Sequence, residues 1–561
     1  MTTAAADGGS RSRVEFLAPG VVAGTALFLG VLDSTMMNVA VPAIVSDLNT
    51  TVSAMHGAIA VYSMVMAALI VPGGALRSVV DTRRLLVIAL GIYSVGTLVA
   101  GASPNMVTLF VGWSLIEGAA AALLLPLTYS IIVENYTGSA RTKAFGAIGG
   151  VTAVGTAIGP MVGGVLTTFA SWRWGMFGEL LLVLVVLSLT RYLDASPSTR
   201  RLSTDVGGVI LSILGVVVMI GGTLLAGRYG WVRPLRPFVL AGTTIQPLGV
   251  SPAIWLVAIG VVILAAFVQW EGRRARIGRS LLVPPSVLRN RTFAAGIATF
   301  AAESLFLSGF MFTVPVYLQS ALGYSAFETG LALLPFSLAT LLVATVSTGW
   351  RAYVAPKRLV QAGLVLMAVG LLLLVARTDL SLTLAGLVVP MLVIGVGLGL
   401  FTGQLVDLTM SAVPATESSV ASGVINSLSQ LGYAFGTAVT GSFLLAGFYG
   451  EIVDGVARLA GAAVAGDDRR RLVVALQDGV DATTQAQQAA FVDGLAPALR
   501  AELLTVVRTA MQSTQRSVLL LLVLFVLCTL LAASFLPATR EREPSSTLGT
   551  ATDRGERIPE E

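Results

Sequence analysis

Residues Gly155 to Gly164 read GTAIGPMVGG, four glycines and one proline inside an apolar run. Gly155, Gly159 and Gly163 recur every fourth residue, so on a helix they line one bare stripe that a neighbouring backbone can approach closely. Pro160 removes a backbone donor and loosens its turn. In water that combination breaks a helix; in lipid a helix satisfies its own backbone and adjacent helices repair the defect. The stretch, closed by Gly164, therefore predicts a packing and bending site inside a membrane bundle.

Composition agrees. Of 561 residues 55% are hydrophobic and 12% charged, and mean hydropathy is +0.85, whereas soluble domains carry about a quarter charged residues. An all-α polytopic membrane protein follows. The formal charge of +5 comes from arginines clustered between apolar runs, where they set membrane orientation, so nucleic acid is not an expected partner. Cys528 is the only cysteine and His56 the only histidine. Neither a disulfide framework, a cysteine metal site nor a nucleophile and base set can be assembled from them, so no enzyme activity, metal or cofactor is expected.

Apolar stretches long enough to span a bilayer lie near 16–45, 55–76, 84–102, 106–133, 144–168 and 174–193, then 206–226 and 253–271. Six more lie near 292–319, 325–348, 358–377, 382–409, 419–446 and 515–537. The count is fourteen transmembrane helices. The expected divisions are a cytoplasmic segment 1–15, a six-helix half 16–205, two inserted helices 206–271, a second six-helix half 272–537 and a disordered tail 538–561. Loop 447–514 has helical spacing and is expected to form a surface hairpin outside the membrane. Arg83, Arg84, Arg273, Arg274, Arg276, Arg289 and Arg291 fall on one side of this plan, which places both termini in the cytoplasm by the positive-inside bias.

Several motifs resemble one family. GTAIGPMVGG in predicted helix 5 is followed by Ser171-Trp172-Arg173-Trp174; Leu32 to Pro42 reads LDSTMMNVAVP, Pro315 to Pro335 reads PVYLQSALGYSAFETGLALLP, and Ser411 to Ala434 reads SAVPATESSVASGVINSLSQLGYA. With the six-two-six plan they resemble the fourteen-helix drug:proton antiporter family of the major facilitator superfamily. The resemblance implies two pseudo-symmetric halves rocking around a midplane site. It also makes Gly155, Gly159, Pro160, Gly163 and Gly164 the antiporter motif. Two departures stand out. The loop from Gly74 to Arg84 reads GALRSVVDTRR; Ser78 stands where the family has its gating aspartate and Val79 where an arginine follows, leaving Gly74, Asp81, Arg83 and Arg84 as the candidate gating loop. In predicted helix 4 the sequence Ser114-Leu115-Ile116-Glu117-Gly118 puts a carboxylate where the family has an arginine.

A charged side chain near mid-membrane costs about 2.5 to 3.5 kcal/mol on insertion scales, so each needs a reason. Asp33, Glu117 and Glu303 lie near helix midpoints and are the proton-coupling candidates, with structural hydrogen bonding as the alternative. Burial favours the neutral form of a carboxyl, which suits proton carriage, and a family-like fold brings Asp33 and Glu117 close enough to interact. Glu179 and Asp407, nearer helix ends, are read as structural. With no basic residue near a helix midpoint, a cavity lined by Asn38, Met36, Met37, Tyr62, Asn426 and Gln430 would favour lipophilic cations. His56 is read as a surface or interface residue. The expected function is proton-coupled export of amphipathic, cationic small molecules across the bacterial inner membrane by a monomer that contacts membrane lipids. Export of a lipid, siderophore or secreted metabolite is the alternative, and a non-transporting membrane sensor is the reading from another class.

Overall fold

The computed structural model describes residues 13–76, 80–136, 138–193, 205–240, 243–245, 249–279, 281–283, 289–413, 418–483 and 485–536. Ser78 and Val79, residues 1–12, the tail from 537 and the side chain of Asp407 lie outside the described residues.

A backbone in lipid must bond to itself, and here it does so almost entirely as helices. The first six positions are α1 (Arg13–Asp47), α2 (Val52–Leu76), α3 (Thr82–Gly101), α4, α5 (Gly138–Phe169) and α6 (Arg173–Leu189). Helix α4 starts as Met106–Leu109, passes through a π turn at Phe110–Glu117 and continues as Gly118–Asn135. The inserted pair is α7 (Val206–Tyr229) and α8 (Pro252–Arg276), joined by a loop with one two-residue antiparallel strand pair, Val239–Leu240 with Thr243–Thr244. Then come α9 (Arg291–Ser320), α10 (Ala326–Val346), α11 (Pro356–Arg377), α12 (Leu384–Met410), α13 (Ser418–Leu459), the short α14 (Gly466–Ala482) and α15 (Gln485–Asp493), and α16 (Pro497–Ala533). Among the described residues thirteen helices are long and apolar enough to cross a membrane. Helix α5, with 32 residues, packs on α1 and α10 and fills the fourteenth position.

Two boundaries differ from the sequence reading. Helix α13 runs to Leu459 instead of 446, and α16 starts at Pro497 instead of 515. Both continue past the apolar core because they pack on each other: a Cβ on Gly447 would stand 2.8 Å from Thr514 Cγ2, and one on Gly455 2.5 Å from Val506 Cγ1. Both ends of loop 447–514, residues 447–459 and 497–514, are therefore bundle helix prolonged. Its α14 docks sideways, through Arg469 to Asp454 at 2.7 Å, Gln477 Nε2 to the Gly227 carbonyl at 3.3 Å, and an Arg236–Asp478 ion pair.

Small residues hold the inserted pair together. A Cβ on Gly222 would meet the Val257 nitrogen at 2.8 Å and one on Gly260 the Met219 Cα at 2.6 Å. Ile220 of α7 packs with Ala67 and Ala68 of α2 and Ala434 of α13, so α7 sits on the seam between the halves. Asp205 caps α7 through Gly208 N–H at 2.9 Å and also receives Trp270 Nε1 at 2.9 Å and Arg274 Nε at 3.1 Å. Burial alone would raise the Asp205 carboxyl; hydrogen bonds with Glu271, Gly208 and Trp270 and the Arg274 charge outweigh it and hold it below the usual aspartate value.

At the end of the bundle opposite the arginine clusters the halves meet directly. Gln319 Nε2 donates to the Val39 carbonyl at 2.9 Å, Asn38 Nδ2 to Tyr433 Oη at 3.1 Å, and the Phe327 amide to Thr168 Oγ1 at 2.9 Å. His56 Nε2 lies 2.6 Å from the Thr437 carbonyl. The histidine is buried at the interface between α2 and α13, the second of the two places read for it, and not on the surface.

Candidate functional site: a buried carboxylate cluster

The antiporter motif explains how α1 is held. Gly155 faces Val31 and Phe28, Gly159 faces Thr35, and Gly163 faces Met36, whose Cγ a Cβ would reach at 2.9 Å. The stripe thus lets α5 lie flush on α1, as the spacing predicts. Gly164 and Pro160 face the other way. A Cβ on Gly164 would meet the Ala326 carbonyl oxygen at 2.5 Å, and one on Gly330 the Pro160 carbonyl oxygen at 2.6 Å, so the same ten residues join α5 to α10 of the second half.

With its back against α5, α1 turns Asp33 toward α4 and α6. Asp33, Glu117 and Glu179 are fully buried, and one carboxylate oxygen from each lies within 4.8 Å of the others. Trp113 Nε1 donates to both Asp33 oxygens at 2.9 and 3.0 Å. Thr97 Oγ1 donates to Glu117 Oε2 at 3.0 Å, and Tyr93 Oη to Glu179 Oε2 at 2.8 Å. Tyr62 stacks on Trp113 with ring centroids 5.0 Å apart. Close approach of α3 to the π turn places Glu117: a Cβ on Gly96 would stand 2.7 Å from the Glu117 nitrogen, and one on Gly112 2.7 Å from the Ala100 nitrogen. The π turn widens α4 just where its carboxylate faces the cluster.

Structure and sequence reading agree that Asp33 and Glu117 meet. The structure brings Glu179 to the same place: read as structural because it lies near a helix end, it is buried on α6, accepts from Tyr93 of α3 and lies beside Asp33 of α1, and depth along the chain does not measure access to water. Its lone charge in an otherwise apolar run was the available signal. Glu303 stays apart, buried in α9 beside Ser304 at 3.4 Å, although Tyr433 lies within electrostatic reach of both Glu303 and Asp33. Of the cavity candidates, Asn38 bridges to Tyr433 and Tyr62 belongs to the cluster. Met36 packs between Gly163 and Gly175 inside the first half, Met37 is buried, and Asn426 and Gln430 are half-buried on α13. In the gating loop, Gly74 packs on Pro126. Asp81 caps α3 by accepting the Arg84 amide at 3.1 Å, while Arg83 is half-buried and the Arg84 side chain exposed.

Two facing six-helix halves with a charged centre inside one of them define a membrane transporter. The chain belongs to the Major Facilitator Superfamily, whose model matches residues 23–437. It is 29% identical to the "Probable actinorhodin transporter" of Streptomyces coelicolor over 82% of this chain and 78% of that protein. It is 30% identical to the "Cephamycin export protein CmcT" of Amycolatopsis lactamdurans, over 78% and 89%, and 29% to the "Multidrug efflux pump LfrA" of Mycolicibacterium smegmatis, over 83% and 89%. The fold is similar to that of a bacterial homolog to human lysosomal transporter Spinster, with TM-score 0.59 and 13% identity over 95% of this chain and 98% of that one. The chain is a transporter, not an enzyme.

Proposed function

We propose that the chain exports amphipathic, cationic small molecules across the bacterial plasma membrane in exchange for protons, as a monomer with both termini in the cytoplasm. The observation that carries this reading is the carboxylate cluster, which has no basic partner among the described residues: residues 14–76, 85–140 and 174–190 contain no lysine or arginine. Unit charges 4.8 Å apart, the limit within which the three oxygens lie, repel by roughly 3 to 4 kcal/mol per pair at an effective dielectric near 20. The cluster therefore relaxes when it takes up a proton or draws a cation toward it, and the two compete for the same negative charge. Asp33 connects this competition to movement, because α1 also carries Asn38 and Val39 of the seal between the halves. Export as the direction is supported by the relatives named for export and efflux. The names of the actinorhodin and cephamycin relatives favour a second reading, in which the natural cargo is a secreted metabolite of antibiotic type.

The test is purified protein in liposomes preloaded with tetraphenylphosphonium, with a proton gradient imposed across the membrane. Gradient-driven efflux is expected from the wild type and is expected to fall to background in Asp33→Asn and Glu117→Gln. Intact efflux in both variants would reject the coupling scheme.

A further inference from the structure

Glu271 ties the inserted pair to the rest of the bundle. It is buried near the end of α8, and its Oε2 accepts the amides of Leu282 at 3.0 Å and Val283 at 3.3 Å, in the strap that leads from α8 toward α9. Val283 belongs to an apolar cluster with Phe293 and Ile297 of α9 and Ala421 and Val424 of α13, against which Leu282, Phe267 of α8 and Val71 of α2 pack. One carboxyl thus anchors a segment that meets both halves. Its other oxygen, Oε1, is buried and accepts from no donor. It stands beside Asp205: a Cβ on Gly208 would lie 2.6 Å from Asp205 Oδ2 and 2.8 Å from Glu271 Oε1, and the two carboxyls are hydrogen-bonded. An ionised carboxyl only accepts, so such a bond needs a proton on one of them. Asp205 receives Gly208 N–H, Trp270 Nε1 and Arg274 Nε, donors that favour its charged form. The proton therefore belongs to Glu271 Oε1.

From this geometry we infer that Asp205, Glu271 and the strap at 282–283 form a proton-dependent latch at the arginine-rich end of the bundle: one proton shared between the carboxyls holds α8 and the strap against α7, and its loss as pH rises releases them. Without that proton the hydrogen bond becomes two like charges side by side out of water. Glu271 as an anion still accepts the strap amides, so the break falls between Glu271 and Asp205 and the strap leaves with α8. Among the described residues Asp205 is the one charged group that acts on Glu271. Arg274 of the same helix turns to Asp205, while Arg273, Arg276, Arg279, Arg289 and Arg291 are exposed. The acidic and basic side chains of α2, α7 and α13, namely His56, Arg228, Glu451, Asp454 and Arg458, lie at the opposite end.

The experiment is maleimide labelling of the purified full-length protein carrying Leu282→Cys, which keeps the strap amide, in a Cys528→Ser background, at mildly acidic and mildly alkaline pH. Glu502→Cys, on the exposed part of α16, supplies the reference rate, because the thiolate is the nucleophile and every thiol reacts faster as pH rises. Relative to that reference, labelling at position 282 is expected to rise several-fold from the acidic to the alkaline buffer. Glu271→Gln keeps a donor for Asp205 and an acceptor for the strap at every pH, so the ratio is expected to stay at its low value. Glu271→Ala has neither group and is expected to show the high value in both buffers. A ratio that does not change with pH when Glu271 is present, the same rise in Glu271→Gln, or a low ratio in Glu271→Ala would overturn the latch.

Discussion

Trp113 is the residue on which Asp33 depends. Its indole donates to both oxygens of that carboxyl, and its ring stacks on Tyr62. Trp113→Phe keeps an aromatic ring for Tyr62 and removes only the N–H. Losing a hydrogen bond to a charged group costs about 1.5 to 3 kcal/mol, so proton-driven efflux is expected to slow by on the order of ten- to a hundredfold with folding retained, as read by liposome transport and size-exclusion profile. At this scale the sequence was half legible. Asp33 and Glu117 announce themselves as charges in apolar runs, whereas Trp113 and Thr97 are ordinary membrane residues until four helices bring them together. Glu179 was visible, but its role depends on which face of α6 it occupies.

The element that does most is α5, because its glycines serve two partners. Toward α1 they fix the helix that carries Asp33; toward α10 Gly164 closes the far end of the bundle, where backbone approaches backbone. Gly164→Val places a branched side chain against the Ala326 carbonyl, so the sealed arrangement loses ground to the open one. A cysteine at Gln319 in a Cys528→Ser background is expected to react with a membrane-impermeant maleimide several-fold faster when Gly164→Val is added. An unchanged rate would show that the contact does not hold the seal. Asp205 is the corresponding device for the inserted pair. Asp205→Ala removes the cap of α7 and leaves Arg274 without that partner, a loss of about 1 to 2 kcal/mol measurable by denaturation. Because this carboxyl is held below its usual value, its contribution is present above the ordinary aspartate range and fades as pH falls through the folded value. Wild type and variant are therefore expected to converge in acid. Glycine spacing made α5 readable from sequence. The lengths of α13 and α16 were not, since hydropathy reports contact with lipid and not contact between the helices beyond it.

In the whole molecule the charged cluster sits in the first half alone, while the contacts that seal the far end join both halves. Asn38, one turn beyond Asp33 on α1, reaches Tyr433 of the second half, so a change of charge at the cluster and a change of contact at the seam share one helix. The six-two-six plan was legible because each span must be apolar over its whole length. That α7 lies on the seam between α2 and α13 was not, since no pattern in one helix names its neighbour. The central claim is that protons and a cationic substrate compete for the same buried carboxylates. It is tested most directly by adding tetraphenylphosphonium to the purified protein in weakly buffered solution and following pH with an indicator dye. The account predicts proton release that saturates with substrate and is absent in the Asp33→Asn, Glu117→Gln and Glu179→Gln triple variant; binding without proton release in the wild type, or the same release in the triple variant, would contradict it.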